Sequence, residues 1–224
     1  MTIKILVIDD EPVRVTIARD ITAFLVSNGR PDFTIFRHRE RPERTAPPHV
    51  TFVHEALEDE DPFTTADAAI RGRSRQDIEF AQIERLLNLA ERDATPRFDI
   101  GYVDLLLGTR PEGRYRYPTK IADIEGASLI STHLLDPASG LPPQAKLRCA
   151  AERPIRHAAI LSGSYNIASA AENEFLPAAD VVPRLTKSIV EDPNWPGSRY
   201  PDNIWRFLAE KLDIATPKYP RTPR

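Results

Sequence analysis

Apolar positions along the chain fall in short runs separated by polar and proline-bearing stretches, and the runs alternate between strand and helix periods. Ile3 to Ile8 is apolar apart from Lys4 and rich in branched residues, which predicts a strand buried on both faces, as in a parallel sheet. The next segment sets Ile17, Ala18, Ile21, Phe24 and Leu25 at helical spacing, with Pro12 tolerated in the first turn and Gly29 as the stop. Phe33 to Phe36 reads as a second strand, and the basic, proline-rich stretch Arg37 to Pro48 as a loop. His49 to Leu57 is either a strand or a strand-to-helix piece, followed by the acidic run Glu58 to Asp61. Ser74, three residues before Asp77, carries a capping-box signature ahead of the stripe Ile78, Ile83, Leu86, Leu87 and Ala90, which predicts a helix over about 75 to 93.

The second half continues the alternation. Phe98 to Leu107 reads as a strand with one acid, Asp104, among Val103, Leu105, Leu106 and Leu107, and Ile124 to Leu135 reads as a helix. Ala158 to Leu161 predicts a short buried strand ending at Ser162, Ile167 to Phe175 a short helix, and Asp180 to Leu185 a strand with Lys187 just past its end. The last helix, about Asn203 to Leu212, carries Ile204, Trp205, Phe207, Leu208 and Leu212 and is aromatic enough to be docked. Residues 216 to 224, TPKYPRTPR, predict no regular structure and read as a loose basic tail, and no internal repeat stands out.

Composition narrows the classes. The 224 residues can bury one sizeable core, and 41% hydrophobic with 28% charged residues describes a soluble globular chain. A net charge of −3 supplies no field that would recruit nucleic acid or an anionic membrane. A single cysteine, Cys149, excludes an internal disulfide framework and a thiolate metal cluster. The six-residue apolar run at the start is neither a signal peptide nor a membrane span, so the expected location is the cytoplasm. The 21 prolines imply many stops and long irregular connections.

Strands alternating with helices argue for an open parallel α/β sheet, whose ligands sit beyond the C-terminal ends of the strands. Five polar residues then fall at one edge: Asp9 and Asp10 after the first strand, Asp104, Ser162, and Lys187 after the last. Three carboxylates in one pocket repel one another unless a hard cation neutralises them, and Mg²⁺ suits one or two carboxylates with a backbone carbonyl and a phosphate oxygen. A carboxylate beside that ion can attack phosphorus to form an acyl phosphate, which makes Asp104 the candidate nucleophile. Ser162 would donate a hydrogen bond to the phosphoryl group and Lys187 would pair with it. Each residue also has a plainer reading: Asp10 capping the first helix, Ser162 capping the helix after its strand, Lys187 as a solvated surface lysine. His49, His54, His133 and His157 lack tight ligand spacing, and Trp195 and Trp205 suit packing better than nucleic-acid stacking.

With these residues placed, the chain resembles the receiver domain of two-component response regulators. ILVIDDEP is similar to that family's first strand and acidic pair, FDIGYVDLLLG to its phosphoacceptor strand, and AAILSGSYNIASAAENEFLPAADVVPRLTKS to its fourth strand, fourth helix and fifth strand. The resemblance implies a flavodoxin-like, doubly wound, five-stranded parallel sheet of order 2-1-3-4-5. It also implies Mg²⁺ bound by Asp9, Asp10, Asp104 and the Leu106 carbonyl, with Asp104, Ser162 and Lys187 as the phosphoryl-transfer residues. The intervals from Asp10 to Asp104 and from Asp104 to Ser162 exceed the family's usual ones. The expected organisation is therefore one receiver-like domain over 1–214, with inserted segments at about 37–75, 108–122 and 137–156, and a loose tail at 215–224.

Gly108 stands where the family carries a proline beyond the acceptor, Ser188 follows the lysine in place of a proline, and Pro183 and Arg184 occupy the neighbourhood of the family's aromatic switch residue. No output domain is recognisable after the last helix. The implied function is an atypical stand-alone receiver, phosphorylated by a histidine kinase or phosphotransfer protein and signalling to a downstream protein, with room for a homodimer and no nucleic-acid or membrane partner. Its own chemistry would be limited to self-phosphorylation from a phosphodonor and autodephosphorylation. The alternative is a phosphorylation-independent pseudo-receiver acting as a protein-binding or oligomerisation scaffold. A phosphoaspartate-type hydrolase would need a general acid two residues after Asp104, where Leu106 stands.

Overall fold

Branched apolar residues on both sides of β1 (Ile3–Ile8) place this strand at the middle of a sheet, between β2 (Phe33–Arg37) and β4 (Phe98–Val103). In this computed structural model the described residues are 2–9, 13–37, 49–52, 87, 98–104, 125–136, 146–150, 152–162, 182–187 and 197–220. The remaining elements are α1 (Val13–Ser27), β3 (Val50–Phe52), α2 (Glu125–His133), β5 (Ile155–Ser162), β6 (Arg184–Thr186) and α3 (Asp202–Lys211). Among the described residues the sheet has six strands in the order β3-β2-β1-β4-β5-β6, and every neighbouring pair is parallel. Without β3 the order is the flavodoxin-like 2-1-3-4-5 of an open doubly wound sheet, as expected. β3 adds a sixth strand at the β2 edge, inside the segment expected as the first insertion.

One face of the sheet is covered by α1 and α3. Ile5 and Val7, Phe33 and Ile35, Ile100 and Tyr102, Ala159 and Leu161, and Leu185 project from their strands at period two into a single cluster. Ile17, Ile21, Phe24 and Leu25 of α1 and Ile204, Trp205, Phe207 and Leu208 of α3 close it. α1 stops as its sequence predicts: Gly29 takes a φ of 67°, and the Arg30 amide donates to the Leu25 carbonyl at 2.9 Å, capping the last turn. The helix expected at 75–93 lies outside the described residues except Leu87, which is helical and buried, and the helix expected at 167–175 lies wholly outside them.

Two strand boundaries and the chain terminus correct the sequence reading. β5 begins at Ile155, ahead of the expected Ala158. Among the described residues the last strand runs Arg184–Thr186, with Asp180 and Val181 of the expected strand outside them; Pro183 has no amide to give and contributes its carbonyl, which accepts from the Ile160 amide at 2.9 Å. The tail forms no helix or strand through Pro220, as expected, but it is not loose there. The Asn28 side chain donates to the Lys218 carbonyl at 2.9 Å and accepts from the Lys218 amide at 2.7 Å, and the Tyr219 ring rests on Phe24 and Trp205.

Gly101 sits where β4 and β5 leave no room for a side chain. A Cβ there would sit 2.8 Å from both Cδ1 and Cγ2 of the buried Ile155 across the β4–β5 pair. Gly101→Val is therefore expected to lower stability by about 1–3 kcal/mol, measured by urea unfolding, and Ile155→Ala in the same chain to recover part of the loss. Additive losses in the double variant would count against this contact as the cause.

Candidate functional site

The chemistry-bearing residues continue the same period-two pattern one step beyond the core. Asp9 follows Val7 by two positions, Asp104 follows Tyr102, and Lys187 follows Leu185. Each therefore emerges just past the C-terminal end of its strand, where a parallel sheet presents its ligand crevice. The ladder between β1 and β4 runs one step further, with the Asp104 amide donating to the Ile8 carbonyl at 2.8 Å, and this holds the two aspartates on adjacent chains.

Lys187 bridges them. Its Nζ stands 2.7 Å from Asp9 Oδ2 and 3.1 Å from Asp104 Oδ2. Asp9 is 1% and Asp104 4% exposed, so these are charge-assisted contacts in a largely water-excluded setting. The donors that Asp9 and Asp104 offer are carboxylate oxygens, which suit a hard cation such as Mg²⁺. Among the described residues no group of three or more His, Cys, Asp or Glu is placed to hold a metal ion, and Asp10 and Leu106 lie outside those residues. Ser162 is the last residue of β5 and is in register with Thr186, the neighbour of Lys187. The structure thus brings Asp9, Asp104 and Lys187 into contact and sets the Ser162 backbone at the same sheet edge.

The strand carrying Lys187 is tied to the start of α3. Asn203, fully buried, donates from Nδ2 to the Thr186 carbonyl at 2.6 Å and accepts the Ile204 amide on Oδ1 at 2.8 Å. The Tyr102 hydroxyl donates to the Ile204 carbonyl at 3.3 Å, linking the Asp104 strand to the same turn; burial pushes this phenol well above its ordinary value. Tyr200, just before α3, donates to Asp20 Oδ2 of α1 at 2.6 Å. Burial first, then this hydrogen bond and the Asp20 charge, hold the Tyr200 phenol well above its usual range, and Asp9 acts in the same direction. The site is therefore framed by β1, β4 and β6 and braced by α3.

Sequence reasoning missed Arg37. It ends β2 in register with Val7, two positions past the core residue Ile35, and it is buried at 1% exposure on the same sheet edge. The alternation Phe33, Ile35, Arg37 was the available signal, masked by the basic and proline-rich stretch that follows.

His157 lies in β5 in register with Ile100. Burial chiefly, and then Lys211, Arg153 and Arg156, hold its imidazole below the ordinary value of 6.5, with Asp99 opposing. The unfolded chain consequently binds the proton more readily, so stability is full above about pH 6.5 and declines as pH falls toward the folded value. Urea midpoints at pH 7 and pH 5 are expected to differ less in His157→Gln than in the wild type.

No protein-family model matches the chain, and no curated protein or solved structure shows significant similarity to it. The strand order and the contacts at the sheet edge are therefore what bear on function. No described helix is long and apolar enough to cross a membrane.

Proposed function

We propose that the protein is an atypical receiver that accepts a phosphoryl group on Asp104 and signals through phosphorylation-dependent protein contacts. The observation that supports this most directly is Lys187 Nζ lying within 3.1 Å of carboxylate oxygens of both Asp104 and Asp9 at the C-terminal edge of a 2-1-3-4-5 parallel sheet. In this reading Asp104 Oδ attacks the phosphorus of a donor phosphoramidate or acyl phosphate, the bond from phosphorus to the donor breaks, and an aspartyl phosphate forms. Lys187 leaves its contact with Asp104 to pair with the incoming phosphoryl oxygens, and Ser162 donates to one of them. Asp9, Asp10 and the Leu106 carbonyl would hold Mg²⁺, which neutralises charge on the transferring group. The donor class is a histidine kinase or phosphotransfer protein.

Incubation with Mg²⁺ and a small phosphodonor is expected to add one phosphoryl group by intact mass to the wild type and none to Asp104→Asn. Beryllofluoride binding, followed alongside, covers rapid self-hydrolysis. Neither labelling nor beryllofluoride binding, under conditions that label an ordinary receiver, would reject the phosphoryl reading and leave the scaffold one.

A further inference from the structure

The last nine residues, Thr216 to Arg224, are three consecutive tripeptides of one kind: Thr-Pro-Lys, Tyr-Pro-Arg, Thr-Pro-Arg. The chain thus does carry a short repeat. Proline at every third position fits the three-residue turn of polyproline II, which would align Pro217, Pro220 and Pro223 on one edge and Lys218, Arg221 and Arg224 on another. The third edge would carry Thr216, Tyr219 and Thr222.

The structure shows what receives the middle of this segment. Asn28, just past α1, pairs its side-chain amide with both backbone groups of Lys218, at 2.9 Å to the carbonyl and 2.7 Å from the amide. The Tyr219 ring lies with its centroid 6.0 Å from Phe24 and 6.1 Å from Trp205, two rings stacked on each other at 6.4 Å. The Trp205 indole N–H is engaged by the Asp20 carbonyl at 3.0 Å, which fixes the ring and leaves its face for stacking. Phe24 and Trp205 are buried, whereas Tyr219 remains 47% exposed.

We propose that the cleft between α1 and α3, built from Phe24, Asn28 and Trp205, is a binding site for extended proline-rich strands of the X-Pro-Lys/Arg type, which Lys218 and Tyr219 of this chain occupy. The cleft has what recognition of such a strand requires: an aromatic surface and a side-chain amide that reads backbone groups, so selectivity comes from a preformed extended backbone. The seated segment is held at its backbone and by one half-exposed ring, and it can leave without breaking the sheet. A strand of the same chemistry on another protein would have to displace it, because tethering gives the resident segment a high local concentration. The contact uses none of Asp9, Asp104 or Lys187, so it stands apart from the phosphoryl reading.

The test uses the full-length chain carrying Lys218→Pro, which removes the amide that Asn28 accepts at an exposed position. A synthetic peptide, TPKYPRTPR, is titrated in while the Trp205 indole N–H resonance is followed. Saturable binding is expected at least about ten-fold tighter to this variant than to the wild type. Tyr219→Ala in the full chain should behave in the same way and serves as the second variant. Adding Asn28→Ala should weaken binding at least about five-fold, as should replacing the three peptide prolines by alanine. A well-dispersed variant spectrum with no saturable shift would overturn the proposal. So would equal affinity in the wild type, or indifference to Asn28 or to the prolines.

Discussion

Replacing Lys187 by methionine is expected to destabilise the fold by about 3–5 kcal/mol, the largest effect of any single change at the sheet's C-terminal edge. The methionine keeps the bulk and the apolar stem but removes the ammonium that Asp9 and Asp104 share at 2.7 and 3.1 Å. Two buried carboxylates on adjacent strands then face each other with like charge where water screens poorly. Asp104→Asn works the other way. It leaves Asp9 with Lys187 and relieves one carboxylate–carboxylate repulsion, so it should cost less than Lys187→Met. The double variant Asp104→Asn/Lys187→Met should lose less than the sum of the two singles, a coupling that urea unfolding at pH 7 in chelator can measure. A divalent cation should restore more stability to Lys187→Met than to the wild type, since binding to the folded state alone raises its apparent stability. A Lys187→Met chain as stable as wild type without added cation would show that the bridging ammonium does not hold this edge together.

The same edge shows how far a sequence can be read. Strands β1 and β4 were legible as short, nearly continuous apolar runs, and helices α1 and α3 because their apolar residues recur at helical spacing over two or more turns. Asp9, Asp104 and Lys187 were legible because strand ends in a parallel sheet share an edge, so three strands predicted separately bring their last polar residues together. Val50–Phe52 could not be resolved, since three residues carry no period and the strand is fixed by pairing with Ile35 to Arg37 of β2. Arg37 was hidden for a related reason. A basic residue followed by a proline-rich stretch reads as loop, whereas the sheet buries it because its register partner is Val7. The docked tail was invisible because its hold depends on Asn28 meeting the Lys218 backbone across 190 residues of chain, a contact no local periodicity announces.

Trp205→Ala is expected to cost about 3–5 kcal/mol, comparable with the loss at Lys187 but from packing alone. Trp205 is 2% exposed and belongs to the cluster that joins α1 and α3 to the sheet. Its ring stacks on Phe24 at 12° between planes, and its N–H satisfies the Asp20 carbonyl. Alanine opens a cavity between the helices and takes the donor from that carbonyl, so the transfer, cavity and hydrogen-bond losses fall on one position. Trp205→Phe separates them: the stacked ring survives and the donor does not, so its loss should be less than half that of alanine. The two helices also brace the site, because α3 holds the Thr186 carbonyl through Asn203 and the Asp104 strand through Tyr102. Loosening α3 should therefore reduce beryllofluoride affinity in Trp205→Ala even where the chain stays folded, while Trp205→Phe retains it. An alanine variant within about 1 kcal/mol of wild type would mean that α1 and α3 are held to the sheet without this ring, and the bracing of the site would have to be sought in the Asn203 and Tyr102 hydrogen bonds.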